Sequence, residues 1–238
     1  MNNNYDVFGS QAESHIDQNA ITGILKSVYL WMTCALVISG LTAMVVANNA
    51  SMIEALFSSR FSLIAIFIAQ FGLIWFISAR IGSISFLTAT ALFLVYSILT
   101  GVTLSSIFLL FTAESLSSVL FITAGTFAAV SLYGFATKKD LSSWGSILMM
   151  GLFGLIIASV VNLFLKSELM YWIVSYVGVI IFVGLTAYDT QKIKTMATAM
   201  HSADEESKNK IALLGAITLY LDFINLFLYL LRIFGRRK

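Results

Sequence analysis

The sequence predicts an all-α integral membrane protein, a single bundle of seven transmembrane helices. Of its 238 residues 59% are hydrophobic, only 11% are charged, and the apolar residues fall in long continuous runs. Soluble proteins are roughly 45–50% apolar and about 25% charged, so the charge present cannot cover a water-facing surface. The continuous runs also differ from the alternating pattern of a membrane β-barrel. Composition therefore excludes disorder and most soluble enzymes, and a net charge of +2 gives no basis for nucleic acid as a partner.

Seven runs are long enough to cross a bilayer, which takes roughly 20 apolar residues at about 1.5 Å per residue. They cover residues 27–47, 61–79, 84–111, 116–136, 143–165, 169–188 and 211–231. We expect a loose polar cytoplasmic tail over 1–24, which lacks the basic region of a signal peptide. One transmembrane domain over 25–235 and a basic tail over 236–238 follow. Mixed charges predict a solvated loop with some helical content over 190–210.

The orientation is predicted from the Lys and Arg residues near the ends of the runs. One face carries Lys26, Arg80, Lys138, Lys139, Lys192, Lys194, Lys208 and Lys210. The other carries Arg60, Lys166, Arg232, Arg236, Arg237 and Lys238. The balance is eight against six, or eight against two without the terminal group, so we expect a cytoplasmic N-terminus. The basic C-terminus then lies outside, unless the last run is broken or re-entrant.

Acidic residues inside the membrane are costly, so each is a functional hypothesis. Ten of the twelve acids lie in the tail or in and beside loops, which leaves Asp189 at the end of the sixth run and Asp222 within the seventh. The polar residues of the seventh run lie on one helix face, with spacings of four, three, four and three. They are Thr218, Asp222, Asn225, Tyr229 and Arg232. A polar stripe facing lipid is unfavourable, so we expect this helix to be central, facing other helices or water.

Two roles stay open for this stripe. Thr218 and Asn225 can hydrogen-bond neighbouring helices without any transport role. Asp222 needs a proton, a cation or a basic partner, and Asp189 lies on the same side as the start of the last helix. At about 1.5 Å per residue, however, Asp189 is roughly 5 Å from Lys192 whereas Asp222 is about 18 Å from Lys210. A direct pair therefore requires the last helix to begin in water, or the sixth to run deep.

Three other residues, Arg80, Gln70 and His201, can be interpreted as structural or as functional, and a fourth, Cys34, as structural. Arg80 ends the second run as a positive-inside anchor or as an ion-pair latch to the aspartates, and Gln70 is a packed polar residue or an oxygen donor to a pore. Cys34 is expected to be a small core residue. His201 lies in the polar loop with no evident partner, so a pH-sensing role has no support.

Three segments resemble a known family. They are AYDTQKI at 187–193, TLYLDFINLFLYLLRIFG at 218–235 and YSILTGVTLSSIF at 96–108. Over residues 26–235 the chain resembles bacterial members of the transmembrane Bax-inhibitor-motif family. The resemblance implies seven helices with the last at the centre, in the bacterial inner membrane. It also implies a pH-sensitive calcium leak channel gated by Asp189 and Asp222, with Arg80 as the arginine that exchanges partners with them. Some relatives carry an acid in the second helix, where Gln70 is the nearest candidate here.

The chemistry of such a pair can be stated from first principles. Two carboxylates within hydrogen-bond distance do not ionise together cheaply. Our hypothesis is that the protonated pair bridges the last two helices and closes a path, and that loss of the proton opens it. Calcium prefers six to eight oxygens, so Asp189 and Asp222 make only a weak calcium site, and no resident cofactor is expected. The implied partners are the lipid bilayer, Ca²⁺ and protons.

Two alternatives come from other classes. An intramembrane aspartyl protease also uses aspartates on successive helices, but Asp222 follows Leu219, Tyr220 and Leu221 rather than a GxGD motif, and the chain has no proline for a PAL element. HExxH and GxSxG motifs are absent as well, so we expect no enzyme. The more serious alternative is a regulator that transports nothing and binds other membrane proteins through its polar start. The resemblance implies such roles, including stress protection and modulation of membrane proteolysis.

Overall fold

The computed structural model describes residues 4–200 and 202–238, and side chains from residue 21 onward except those at 57 and 60. The described residues form eight α-helices. These are α1 (Asn4–Ala47), α2 (Ala50–Phe57), α3 (Arg60–Arg80), α4 (Phe86–Leu110), α5 (Ala113–Ala136), α6 (Ser142–Leu165), α7 (Glu168–Ala199) and α8 (Glu205–Phe234). All except α2 are long and apolar enough to cross a membrane. The predicted all-helical architecture with seven spans is therefore confirmed.

The outer surface of the bundle is apolar, as a lipid-facing surface must be. Phe71 is 77% exposed, Phe121 78% and Phe164 83%. Soluble proteins rarely expose apolar patches on this scale, because each side chain would lose the free energy of leaving water. Hydrocarbon removes that penalty, so the exposed aromatic rings are compatible only with a membrane surface.

Short polar side chains fix where the helices begin. Ser85 Oγ accepts the Thr88 amide of α4, and Ser167 Oγ accepts the Met170 amide of α7. Asp204 starts α8 in the same way, with its carboxylate accepting the Ser207 amide. Such caps satisfy amides that have no partner within the helix.

Three sequence expectations, two about polar segments and one about Cys34, are wrong. The start of the chain, expected to be a loose tail, belongs to α1 from Asn4 onward, because a polar composition excludes membrane burial but not helix formation. The loop expected over 190–210 is mostly helix, since Ile193 and Ala197 continue the buried face of α7. His201 lies outside the described residues. Cys34 is exposed on α1 rather than packed in the core.

The last span, α8, is the most deeply buried of the described spans. Within its most apolar window 56% of residues are buried, compared with 39% for α7 and 6% for α6. It packs against α1, α4, α5 and α7, whereas α6 packs chiefly on α7 and α3 on α4. The polar stripe of α8 therefore runs from the protein interior at Asp222, through the half-buried Thr218, Asn225 and Tyr229, to the exposed Arg232.

The C-terminal residues lie at the far end of α8, beside the turn between α4 and α5. The helix is continuous, so the broken or re-entrant alternative has no support. Beyond it, Arg237 forms an antiparallel bridge with Phe111, and the Lys238 amide donates to the Leu110 carbonyl at 3.0 Å. The terminal basic group therefore lies at the opposite end of the bundle from the start of α8.

Candidate gating site

Asp189 on α7 and Asp222 on α8 face each other in the interior of the bundle. Their carboxyl groups lie close enough for the two charges to interact. An ionised carboxylate only accepts hydrogen bonds, so the two groups can bond to each other only when one of them carries a proton. The structure therefore places the two aspartates beside each other between α7 and α8.

The helix ends explain how residues of different depth meet. At about 1.5 Å per residue, Asp189 is roughly 15 Å from the end of α7 at Ala199, and Asp222 is roughly 25 Å from the start of α8 at Glu205. The start of α8 is therefore about 10 Å farther from Asp222 than the end of α7 is from Asp189. Both helices thus extend beyond the predicted runs, α7 to Ala199 and α8 from Glu205, and these extensions bring the two aspartates to the same level.

Asp222 lies in an environment that provides little compensation for a charge. It is only 5% exposed, and its Oδ2 has no hydrogen-bond partner among the described residues. Asp189 is half-buried. An unpaired buried carboxylate costs several kcal/mol, so the site favours a bound proton or a cation over two free charges.

The neighbours of Asp189 on α7 hold the helix in place. The Gln191 amide donates to the Lys139 carbonyl at 2.8 Å and its oxygen accepts the Leu141 amide at 2.9 Å, which ties α7 to the turn between α5 and α6. Thr190 Oγ1 lies 3.4 Å from Ser131 Oγ on α5. The structural contacts of the AYDTQKI segment are thus made by residues around Asp189, which itself faces Asp222.

The cation beside the pair is Lys192, not Arg80. Lys192 lies one turn beyond Asp189 on α7, and its charge acts on that carboxyl group. Arg80 is exposed at the end of α3 and forms no ion pair with either aspartate in the part of the chain that the structure describes. Sequence reasoning missed Lys192 because it placed residue 192 in a solvated loop rather than on a continuing helix face.

Thr218 and Asn225, on either side of Asp222, bond to their own helix. Thr218 Oγ1 donates to the Leu214 carbonyl at 3.0 Å, and Asn225 Nδ2 donates to the Leu221 carbonyl at 2.8 Å. These donors are therefore used within α8, and neither forms a bridge to a neighbouring helix.

Tyr229 lies one turn beyond Asn225 on the stripe. Its ring stacks on Phe182 of α7 with centroids 5.7 Å apart, and Gly178 leaves the space that this ring occupies. The guanidinium of Arg232 lies 5.1 Å from the centroid of the same ring. Two aromatic rings therefore fill the interface of α7 and α8 roughly 10 Å from Asp222 toward the far end.

Gln70 belongs to a separate polar cluster. It is buried and donates through Nε2 to Thr100 Oγ1 and Thr103 Oγ1, both at 3.2 Å. These bonds join α3 to α4, so the structure places Gln70 in a helix contact away from the aspartate pair.

The pair provides few ligands for a metal ion. The described residues contain no group of three or more His, Cys, Asp or Glu side chains able to hold one. Calcium prefers six to eight oxygens, so two carboxyl groups would leave the ion mostly hydrated. The site therefore suits brief contact with a passing cation.

The fold and the site define a class. The chain is a polytopic membrane protein, a seven-span helical bundle with two neighbouring carboxyl groups, one buried and one half-buried, between its last two helices. The family model described as inhibitor of apoptosis-promoting Bax1 matches residues 21–238, so the chain belongs to the Bax inhibitor family. It is 52% identical over 214 residues to the inner membrane protein YbhL of Escherichia coli, covering 90% of this chain and 92% of that protein. Uncharacterised proteins of Borreliella burgdorferi and Rickettsia prowazekii are 48% and 43% identical, each over 90% of this chain and covering 92% and 89% of their own lengths. The resemblance inferred from the sequence is confirmed.

Proposed function

We propose that this protein is a pH-sensitive calcium (cation) leak channel of the bacterial inner membrane, gated by Asp189 and Asp222. The close approach of the half-buried Asp189 and the buried Asp222 is the observation that supports this proposal. A buried acid pair with an unpartnered oxygen has no evident stabilising role, because well-packed apolar residues would serve stability as well or better.

The proposed closed state holds one proton between the carboxyl groups. That proton joins α7 to α8 and leaves the interface without a path for ions. Loss of the proton places two negative charges side by side, and their repulsion at low dielectric moves the helices apart. Lys192 or a passing cation then compensates the charge, and Arg80 would have to move from its exposed position to do so.

The rings of Tyr229 and Phe182 form a second constriction in this account. Apolar constrictions block ions by excluding water, and this one lies between the aspartates and the far end of the bundle. Opening therefore requires separation of α7 from α8 at both levels.

Reconstitution of the purified protein into calcium-loaded liposomes tests the proposal. Calcium efflux should rise from acidic to neutral pH and should be absent from protein-free liposomes. Efflux equal to that of empty liposomes at every pH would refute the channel.

The alternative is a membrane regulator that binds other membrane proteins and transports nothing. Deleting residues 1–19 distinguishes the two functions in cells. If a stress phenotype is lost on that deletion but survives the changes Asp189→Asn and Asp222→Asn, the regulator is supported and the channel is not.

A further inference from the structure

A basic cavity opens at the end of the bundle opposite the start of α8. It has a volume of about 480 Å³ and lies among the end of α6, the start of α7, the end of α8 and the α4–α5 turn. Lys166, Arg232 and Arg237 line it, together with one acid, Glu168. None of the three cations forms a salt bridge among the described residues. The cavity therefore has a surplus of positive charge.

The backbone and ring contacts hold these cations in place. Arg232 lies over the rings of Tyr229 and Tyr171, with 5.1 and 5.9 Å between its guanidinium carbon and the ring centroids. The backbone of Arg237 is fixed by its bridge to Phe111, and its side chain reaches the cavity from there. Because the Arg232 guanidinium is already ordered by two rings, it loses little entropy when it binds a ligand, which favours anion recognition.

Lys166 occupies an unusual backbone conformation for a lysine. Its φ of 50° lies in the left-handed region, the one such non-glycine residue in the described chain. Asn162 holds the turn, because its carbonyl accepts the Lys166 amide at 2.8 Å and its Oδ1 accepts the Ser167 amide at 3.0 Å. Glycine or asparagine would adopt this conformation at lower cost. A lysine at this turn is explained if its ammonium group has a task in the cavity.

A second, mainly apolar cavity of about 540 Å³ adjoins the first and shares Phe111, Asn162, Tyr171, Arg232 and Arg237 with it. Its remaining walls include Val160, Leu163, Val174 and Leu228. Tyr171 and Trp172 mark the level at which interfacial aromatic residues meet lipid headgroups. A charged recess at headgroup depth next to an apolar slot has the shape of a site for an amphiphile.

We propose that this cavity binds the phosphate group of an anionic ligand, through Lys166, Arg232 and Arg237. Phosphate oxygens match the paired donors of a guanidinium. A lipid headgroup and free phosphate share this chemistry, and the apolar slot would additionally hold the acyl chain of a lipid. The inference does not depend on calcium transport, so each can fail without the other.

Binding measurements on the purified full-length protein test this inference. Retention of phosphatidylglycerol is compared with that of phosphatidylcholine by native mass spectrometry, and binding of inorganic phosphate is measured by calorimetry. We expect Arg232→Gln and Arg237→Gln each to weaken binding by about tenfold, and Glu168→Gln to strengthen it. Preferential retention of phosphatidylglycerol identifies a lipid as the source, and phosphate binding alone identifies a free anion. Both results support the site.

Matched variants separate binding from stability. Arg236→Gln removes the same charge from the adjacent residue, which does not line either cavity, and should bind as the unchanged protein does. Arg232→Lys keeps the charge and should recover part of the affinity. If neither phosphatidylglycerol nor phosphate binds the unchanged protein, or if Arg236→Gln and Arg237→Gln lower binding equally, the inference is overturned. In that case the cations serve only to complement the C-terminal ends of α6 and α8.

Discussion

The hydroxyl of Tyr220 on α8 lies 2.6 Å from Oγ of Ser39 on α1, and both side chains are buried. Ser39 Oγ is also 2.8 Å from the Ser97 carbonyl of α4. One serine thus connects three helices at a level close to Asp222 but around the helix from it. The first, fourth and last helices are held together here while the aspartates join α7 to α8.

Replacing this hydroxyl should affect stability rather than gating. Tyr220→Phe removes one buried hydrogen bond and keeps the ring, so we expect a loss of about 1 kcal/mol in unfolding free energy. Tyr176→Phe is the control, because that side chain is 54% exposed. Thermal denaturation in detergent measures both. An unchanged melting temperature in Tyr220→Phe would show that the hydrogen bond contributes nothing to stability.

Gly134 allows α5 to approach α7 next to Asp189. A Cβ at this position would lie 3.0 Å from the Cα of Ala187, a contact with backbone that no side-chain rotation relieves. We expect Gly134→Ala to cost about 1–3 kcal/mol of stability and to disturb the pH dependence of calcium efflux. Gly125→Ala on the same helix meets nothing within 4 Å and should be tolerated. Equal melting temperatures for the two variants would contradict the close packing.

Tyr229 should limit leak through the closed protein. Tyr229→Ala removes the ring that stacks on Phe182, so calcium efflux at acidic pH should rise severalfold while its dependence on pH persists. Tyr229→Phe keeps the ring and should leak no more than the unchanged protein. If Tyr229→Ala leaves acidic efflux unchanged, the rings do not form a constriction.

Asp204 should make the stability of the first turn of α8 depend on pH. Its carboxylate accepts hydrogen bonds from the Ser207 hydroxyl at 2.7 Å and amide at 3.0 Å, and the hydroxyl bond is the larger cause of its lowered pKa. A lowered pKa stabilises the folded state above the unfolded-state pKa, and that stabilisation is lost as the pH falls through the folded-state pKa. Amide hydrogen exchange of Ser207 should therefore be faster in Asp204→Ala than in the unchanged protein at neutral pH. The difference should vanish in strong acid, and its persistence there would contradict the assignment.

The number and places of the spans could be predicted because hydrocarbon imposes a simple length and composition rule. Asp189 and Asp222 could be identified for the same reason, since carboxyl groups inside apolar runs are rare. Their contact could not, because it depends on where α7 ends and α8 begins. Those ends lie within residues 190–210, whose charges indicate solvent but give no sign of helix length.

Contacts between segments that are far apart in the chain could not be predicted from the sequence. The cavity cation Arg237 is set by a bridge to Phe111, and Tyr188 fits against α6 only because Gly145 has no side chain. Neither relationship leaves a local pattern in the sequence. The short helix α2 was missed because it lies between two longer apolar runs.

Calcium efflux as a function of pH from liposomes containing Asp222→Asn protein tests the central claim most directly. Asparagine cannot ionise and can donate a hydrogen bond to Asp189, so it should mimic the protonated pair. The account predicts low efflux that does not change with pH, while Asp140→Asn, a matched change at an exposed carboxylate, keeps the normal profile. A pH profile in Asp222→Asn with the shape and amplitude of the unchanged protein would contradict gating by this pair.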